Sequence, residues 1–245
     1  MLPLFERWAS IMPQTTRSVR KNHLLAALPQ MDLDQFFPDL DPVSLSLRQI
    51  LCQVGAPFEH VYFIEHGVAS VLTTMANGTN VEVGMIGKEG VAGLPAVLGG
   101  AVSEQLIIVQ APGPALCMGA AECAAAFDQS AAVRRVFLRF TEAFLGLAAQ
   151  TAACNRLHSI QQRLARWLLM AHARLESDVI PMTHEFLSSL LGVRRTGITE
   201  VAGKLQRSGS IRYHQGQITI LNREALEATA CECYGADQRR LRRLH

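Results

Sequence analysis

Hydrophobic and polar positions divide the chain into four stretches of different periodicity. Through about residue 46 the pattern predicts two short helices, one over residues 23–28 capped by Asn22 and one over residues 31–37. Asn77 and Gly78 separate two apolar runs and predict a type I′ hairpin. Glycine-punctuated β-rich runs follow one another at residues 61–64, 68–75, 81–86, 106–110 and 116–118. Short strands with frequent turns favour a barrel or a sandwich.

The third stretch predicts one long helix from residue 131 to about residue 156. Its apolar positions alternate in steps of four and three, which is a heptad stripe that can pack on an identical helix. The same stripe can instead cover the barrel of its own chain, and periodicity alone does not decide between the two. The predicted dimer interface consists of Val133, Phe137, Phe140, Phe144, Leu147 and Thr151.

The last stretch predicts a helix-turn-helix followed by a wing. After a helix at about residues 158–175, Thr183 can cap a helix that Gly192 ends. A second helix from about residue 194 to residue 207 places apolar residues at i, i+3, i+4 and i+7 from Ile198. Two short helices across a tight turn with glycine form a helix-turn-helix. Strands at residues 211–213 and 218–221, joined by a polar turn, would add a β-hairpin wing.

The polar face of that second helix carries side chains suited to DNA. Arginine donates two hydrogen bonds to guanine and glutamate accepts from cytosine, so we predict that Arg195 and Glu200 contact bases. Arg194 and Lys204 are expected on phosphates. Gly197, a weak helix former, either lets the helix approach the bases closely or is a tolerated departure. The full predicted DNA-binding set is Thr183, Arg194, Arg195, Thr196, Thr199, Glu200, Lys204, His214 and Gln215.

Composition and charge agree with a globular nucleic-acid-binding protein. The chain is 49% hydrophobic and 18% charged, which excludes the disordered and low-complexity classes. No apolar run is long enough for a membrane span, and the first 20 residues lack a signal-peptide pattern, so a cytoplasmic protein with no membrane partner is expected. From residue 158 onward 13 Lys and Arg stand against 8 Asp and Glu, whereas the first 157 residues hold 10 and 13. The basic part is therefore the C-terminal third, as suits a polyanion-binding domain.

Cysteines and catalytic motifs predict neither a metal site nor an enzyme. The first four cysteines are expected in the core, and Cys231 and Cys233 form a lone C-x-C in a polar tail without a second Cys or His pair at zinc spacing. Gly84, Gly87 and Gly90 match neither a dinucleotide fingerprint nor a phosphate loop and are interpreted as turn glycines. No nucleophile elbow, zinc-protease motif or paired carboxylates occur, so no catalysis is predicted.

The order of these parts resembles the CRP/FNR family of transcription regulators, named after the cyclic AMP receptor protein and the fumarate and nitrate reduction regulator. The resemblance implies an α+β fold with a cyclic-nucleotide-binding-like antiparallel β-roll in residues 1–130, a dimerisation helix in residues 131–157 and a winged helix-turn-helix in residues 158–245. It also implies a bacterial homodimer that binds a palindromic site in double-stranded DNA, with RNA polymerase as a further partner. The residues that carry it are 61–68, 87–94 and 186–220.

The expected effector site departs from the family pattern. Members that bind cyclic AMP carry a Gly-Glu pair and an Arg-Ser or Arg-Thr pair, where this chain has Gly93-Leu94 and Gln105-Leu106. A buried phosphate would lack its arginine partner, and leucine cannot accept from a ribose hydroxyl. Gly93, Leu94, Gln105 and Leu106 are therefore predicted to line a pocket that does not take cyclic AMP. The effector is unknown or absent, and no cofactor is predicted.

Two metal-containing branches of the family fit less well. The iron–sulfur branch uses an N-terminal cysteine cluster, whereas the first cysteine here is Cys52, inside the roll. Haem ligation could come from His60, His66 or Cys52, but single side chains of this kind in a roll are more often structural. An alternative function is a ligand-sensing roll whose C-terminal domain contacts a protein instead of DNA.

Overall fold

The structure, a computed structural model, describes residues 21–38 and 40–244; the predictions on the first 20 residues lie outside it. Within the described residues the helices are α1 (His23–Ala26), α2 (Gln30–Phe36), α3 (Leu94–Val97), α4 (Ala120–Gln129), α5 (Ala131–Leu157), α6 (Ile160–Leu175), α7 (His184–Leu190), α8 (Arg195–Arg207), α9 (Arg223–Thr229) and α10 (Cys233–Arg242). The strands are β1 (Asp41–Leu45), β2 (Ile50–Cys52), β3 (His60–Ile64), β4 (Val68–Thr74), β5 (Asn80–Ile86), β6 (Val91–Ala92), β7 (Leu106–Ala111), β8 (Gly113–Gly119), β9 (Val179–Pro181), β10 (Ile211–His214) and β11 (Gln217–Ile220). The predicted fold class is confirmed.

Two four-stranded antiparallel sheets form the roll, in the orders β1-β8-β3-β6 and β2-β7-β4-β5. Their facing side chains, among them Ile64, Val71 and Ile107, form a buried core because alternate residues of each strand point inward. Strands β1, β2 and β6 and helix α4 were not predicted. Pro42 made β1 a poor strand candidate, but β1 pairs only with β8 at the edge of its sheet, where proline is tolerated.

The turn between β4 and β5 differs from the predicted type I′ hairpin. Of the two residues expected at the centre of the turn, Asn77 and Gly78, only Gly78 has a positive φ, which is 79°. Met75 and Thr79 close the turn, with the Met75 N–H donating to the Thr79 carbonyl at 2.8 Å. The loop is therefore a three-residue hairpin with glycine at the left-handed position, which is the next most common hairpin type.

Helix α5 lies along the roll of its own chain. Ser130 caps it by accepting from the Val133 N–H at 3.2 Å. Val133, Phe137, Phe140 and Leu147 are buried, and the Phe137 ring meets the Phe63 ring edge-on at 6.2 Å. Phe144 and Thr151 are half-buried. The stripe predicted as the dimer interface thus packs in large part against its own chain, and its four buried members are not exposed to a second copy.

Two glycines allow this close approach of helix and sheet. A Cβ atom on Gly84, inside β5, would lie 2.6 Å from the Phe144 ring, and one on Gly90 would lie 2.3 Å from the Phe140 ring. Both distances are shorter than real Cβ contacts. The interpretation of these residues as turn glycines is corrected for Gly84, which lies inside β5 and contacts α5.

The winged domain, α6 to β11, follows the predicted order of elements. Ser159 and Gln162 form a capping box at the start of α6. In the wing, Gln215 and Gly216 have φ of 47° and 77°, as a two-residue type I′ turn requires. Strand β9 was not predicted, and its pairing with β11 extends the wing to a three-stranded sheet.

Buried polar contacts join α6 to the roll. Arg174 and Glu89 form an ion pair at 2.6 Å in which both side chains are buried. The Trp167 indole N–H donates to Glu82 at 2.7 Å. The folded protein loses stability when a buried charge or N–H group is left unpaired. These contacts therefore hold the winged domain in one orientation on the roll.

The C-terminal segment is folded, which corrects its interpretation as a polar tail. Helix α10 packs against α5 and α6, and Asp237 in α10 forms a buried ion pair with Arg166 in α6 at 2.7 Å. Cys231 and Cys233 are buried beside Cys154 at the end of α5. No Cys or His pair stands near the C-x-C along the chain. In the folded protein Cys154 lies beside the motif, so the prediction that it has no partner is wrong.

Candidate nucleic-acid interface

Helices α7 and α8 meet across a turn in which Gly192 adopts φ of 62°. Ile198, Val201 and Leu205 bury one face of α8 in the domain core, which leaves the opposite face exposed. A Cβ on Gly197 would lie 3.2 Å from Ile160 at the start of α6. Gly197 therefore serves the packing of α8 on α6, a role that neither predicted alternative included.

Exposed arginines stand at the N-terminal end of α8. Arg194 is the N-cap residue, and Arg194, Arg195 and Thr196 are all exposed. Neither arginine makes an ion pair within residues 21–38 and 40–244. A helix N-terminus carries partial positive charge and free N–H groups, so the arginines add to a surface that already attracts phosphate.

One turn further along α8, Glu200 and Lys204 form an ion pair at 2.7 Å. The hydrogen bond from Lys204 and its charge lower the pKa of Glu200, so this carboxylate is ionised at neutral pH. Both side chains are exposed, and an exposed pair of this kind contributes little free energy. Each partner can therefore exchange the other for a base or a phosphate.

A stacked pair of rings that the sequence did not reveal supports α8 from the side. The His184 ring lies on Tyr213 of the wing with centroids 3.9 Å apart. The His184 Nδ1 is 3.2 Å from the Thr199 hydroxyl, which donates to the Arg195 carbonyl at 3.1 Å. Burial and then the charge of Arg195 lower the pKa of His184, which keeps the ring neutral. Thr199, predicted to contact DNA, is thus partnered within the domain, and no periodicity links these three elements in the sequence.

The wing turn lies beside the start of α7. His214 and Gln215 are exposed at its tip, as the sequence predicts for a DNA contact. The Thr183 hydroxyl accepts from the Phe186 N–H at 3.2 Å and so caps α7. A Cβ on Gly216 would lie 3.4 Å from Thr183. Residues from α7, α8 and the wing therefore form one contiguous surface, which we call the α8–wing surface.

The four residues predicted to line an effector pocket are not gathered in one place. Gly93 adopts φ of 94° and caps α3, and Leu94 is buried with the N-terminal helices and α5. Leu106 packs instead against the cluster that includes α6 and the winged domain. Gln105 is half-buried beside it. The two halves of the predicted pocket therefore belong to different hydrophobic clusters.

A buried carboxyl group stands where the roll meets α6. Glu82 on β5 is bonded to the Ser70 hydroxyl and to the Trp167 indole N–H. Burial raises the pKa of Glu82 to about 7, although both hydrogen bonds act to lower it. The folded protein therefore holds a proton on Glu82 at pH values where the unfolded chain has lost it.

This proton predicts a pH-dependent stability. Between about pH 4.5 and about pH 7 the folded state binds more protons than the unfolded state, so the free energy of unfolding falls as the pH rises. Glu82→Gln keeps an acceptor for Trp167 and a donor for Ser70 without the charge. We expect the variant to be more stable than the wild type at pH 8, by on the order of 3 kcal/mol, and equal to it near pH 4.5. Urea unfolding at both pH values measures this; an equal gain at both would show that Glu82 is not the titrating group.

Two family models match the chain on either side of α5. Residues 42–130 match a cyclic nucleotide-binding domain, and residues 162–229 match a Crp-like helix-turn-helix domain. Together with the α8–wing surface, they define a class of protein in which a sensor-type roll is joined to a helix-turn-helix DNA-binding domain. The chain belongs to the CRP/FNR family of transcription regulators. This class consists of regulators and not of enzymes, as the sequence predicts.

Solved structures of regulators share the fold. FixK2 from Bradyrhizobium japonicum matches with a TM-score of 0.67 at 17% identity, over 79% of this chain and 98% of its own. A CRP-family transcriptional regulator from Thermus thermophilus matches with a TM-score of 0.65 at 15% identity, over 77% and 96%. The c-di-GMP responsive global regulator CLP of Xanthomonas campestris matches with a TM-score of 0.62 at 15% identity, over 78% and 99%. No curated protein sequence matches this chain. Among the described residues, none of the helices combines the length and apolar character that crossing a membrane requires.

Proposed function

We propose that this protein is a cytoplasmic, sequence-specific transcription regulator that binds a palindromic DNA site as a homodimer. The observation that carries the proposal is the α8–wing surface, where Arg194 and Arg195 are exposed without acidic partners among the described residues. Arg195 and Glu200, both exposed in the first half of α8, contact bases, while Arg194 and Lys204 contact phosphates. RNA polymerase is the further partner that regulation of transcription requires.

The dimer contact is proposed on a face of α5 that neither the roll nor α10 covers. Leu138 and Leu145 are seven residues apart, and 48% and 64% of their surfaces are exposed. Ala152 continues the row after another seven residues and is also exposed. A heptad row of leucine and alanine suits a two-stranded helix contact, in which small residues let the backbones approach. We call this row the open face of α5.

The effector of this regulator, where one acts, is proposed not to be cyclic AMP. Leu94 offers no acceptor for a ribose hydroxyl, and Gln105 offers no cation for a cyclic phosphate. The space between the roll and α5 is occupied by Phe140 and Phe144, whose rings lie against Gly90 and Gly84. DNA binding without a nucleotide is therefore the expected behaviour.

Selection of binding sites from a random duplex library tests the proposal. The purified full-length protein is used at near-physiological salt with no nucleotide added. Enrichment of a palindrome with half-sites about one helical turn apart supports a dimeric regulator that reads DNA without cyclic AMP. Enrichment only after addition of cyclic AMP would overturn the effector proposal, and capture of DNA without any sequence preference would overturn sequence-specific reading.

Substitution of two neighbouring arginines separates base contacts from phosphate contacts. Arg195→Ala should cost about 1–3 kcal/mol on the selected site and relax the preference at one base pair of each half-site. Arg194→Ala should weaken binding to selected and random duplexes alike and reduce the salt dependence. Fluorescence anisotropy with both duplexes measures the two effects. Equal losses on both duplexes for Arg195→Ala would refute its assignment to a base.

A further inference from the structure

Three thiols and an imidazole meet where α5 ends. Cys154 and His158 lie one helical turn apart, at the end of α5 and directly after it. Cys231 lies between α9 and α10, and Cys233 is the first residue of α10. The ligand atoms of all four side chains lie within 4.8 Å of one another. The three cysteines are buried and His158 is half-buried. Residues more than 70 positions apart in the sequence thus present four donor atoms to one point.

The spacing of these atoms fits a tetrahedral metal site. The Cys154 and Cys231 sulfur atoms are 3.5 Å apart, and the Cys233 sulfur is 3.6 Å from the His158 Nδ1. A tetrahedron with metal–sulfur bonds of about 2.3 Å has edges of about 3.8 Å. These two distances are close to that edge and the other pairs lie within 4.8 Å, so small shifts of the side chains would bring all four donors around one metal ion.

The groups around the four donors have the arrangement that metal sites use. The His158 Nε2 is 3.2 Å from a carboxylate oxygen of Glu232, so the imidazole can donate there while Nδ1 faces the sulfur atoms. A histidine that binds a metal commonly donates its other N–H to a carboxylate, which fixes the ring and its tautomer. The Gln150 side-chain amide donates to the Cys233 sulfur at 3.0 Å, which stabilises a thiolate.

We propose that Cys154, His158, Cys231 and Cys233 bind one Zn²⁺ ion as a closed structural site. Three thiolates and one imidazole are a common donor set of structural zinc, and a filled set of four leaves no position for a substrate. Binding displaces the thiol protons and replaces three buried S–H groups with metal bonds. The site ties α10 to the junction between α5 and α6, so it fixes the point from which the winged domain departs.

The test uses the full-length protein, purified under reducing conditions from cells grown with added zinc. We expect about one zinc per chain by elemental analysis, and at least a tenfold loss in Cys231→Ala and in His158→Ala. Cys123→Ala is the matched control, since Cys123 is a buried cysteine of α4 in a separate core cluster and should keep its zinc. Glu232→Gln should weaken zinc affinity by about 10–100-fold through the orientation of His158.

Cobalt substitution keeps the proposal testable where a variant fails to fold. Wild-type protein loaded with Co²⁺ should show the ligand-field bands of tetrahedral cobalt and the charge-transfer bands of three thiolates. A wild type that binds neither metal, zinc retained by the ligand variants, or a Cys154–Cys231 disulfide in the reduced preparation would overturn the proposal. Iron with inorganic sulfide in place of zinc would also overturn it. None of these measurements depends on DNA binding, so the outcome is independent of the proposed function.

Discussion

Leu145→Glu is expected to convert the proposed dimer into a monomer. In the proposed dimer Leu145 faces its own counterpart across the two-fold axis, so the substitution would place two carboxylates together away from water. A monomer reads a single half-site and loses the avidity that two linked half-sites provide, which is on the order of 10²–10⁴ in affinity. Sedimentation velocity measures the oligomeric state, and anisotropy on the palindromic duplex measures the affinity.

Leu98→Glu is the matched control for this experiment. Leu98 is also an exposed leucine, but it follows α3 on the roll and lies outside the open face of α5. The Leu98→Glu variant should keep both the oligomeric state and the affinity for the palindromic duplex unchanged. A Leu145→Glu protein that still sediments as a dimer would place the contact elsewhere. Phe140→Glu does not test the dimer, because Phe140 is buried against Gly90 and the change would disrupt the roll.

Asp237→Ala is expected to destabilise the fold by about 3–5 kcal/mol, because it leaves a buried arginine without its counter-charge. Arg166 and Asp237 are both buried, and the Arg166 guanidinium also donates to the Thr151 hydroxyl at 3.1 Å. Loss of the carboxylate would therefore leave the contact between α6 and α10 with an unpaired charge. Urea unfolding at pH 7 measures the change in the free energy of unfolding.

Two further variants define what the buried pair contributes. Glu227→Ala removes an exposed ion pair with Arg223 and should change stability by less than about 1 kcal/mol. Replacing both buried partners, Arg166→Met with Asp237→Leu, should recover most of the stability, since no unpaired charge remains. If the double variant were as unstable as Asp237→Ala, the loss would come from packing and not from the charge.

The sequence predicted the parts of the fold that depend on local pattern. The extents of α5 and α8 follow from an apolar repeat, and both helices agree with the prediction to within about two residues. The wing follows from a turn at Gln215 and Gly216 between two apolar runs. These features are local because each is decided by neighbours a few positions away.

The sequence did not reveal what each apolar surface packs against. A heptad stripe shows which side of α5 is buried, but the stripe containing Phe137 packs on the roll and the row containing Leu145 remains open. In the candidate interface, Arg194 and Arg195 were found from amphipathicity, whereas the stack of His184 on Tyr213 joins elements 29 residues apart. The cluster of Cys154 with Cys231 spans 77 residues for the same reason. Spacing in the sequence carries no information about such distances.

The contact between Gly84 and the Phe144 ring sets the tilt of α5 relative to the roll. Helix α5 has 27 residues and is therefore about 40 Å long, and α6 departs from its far end. Phe144 lies near the middle of α5, so a tilt of about 5° about this contact moves the far end, which is about 20 Å away, by about 1.7 Å. In a symmetric dimer the two displacements add, so the distance between the two α8 helices changes by a large part of one base-pair step. The absence of a side chain at Gly84 thus helps to set the distance between the two α8 helices, and that distance decides which half-site spacing the dimer binds.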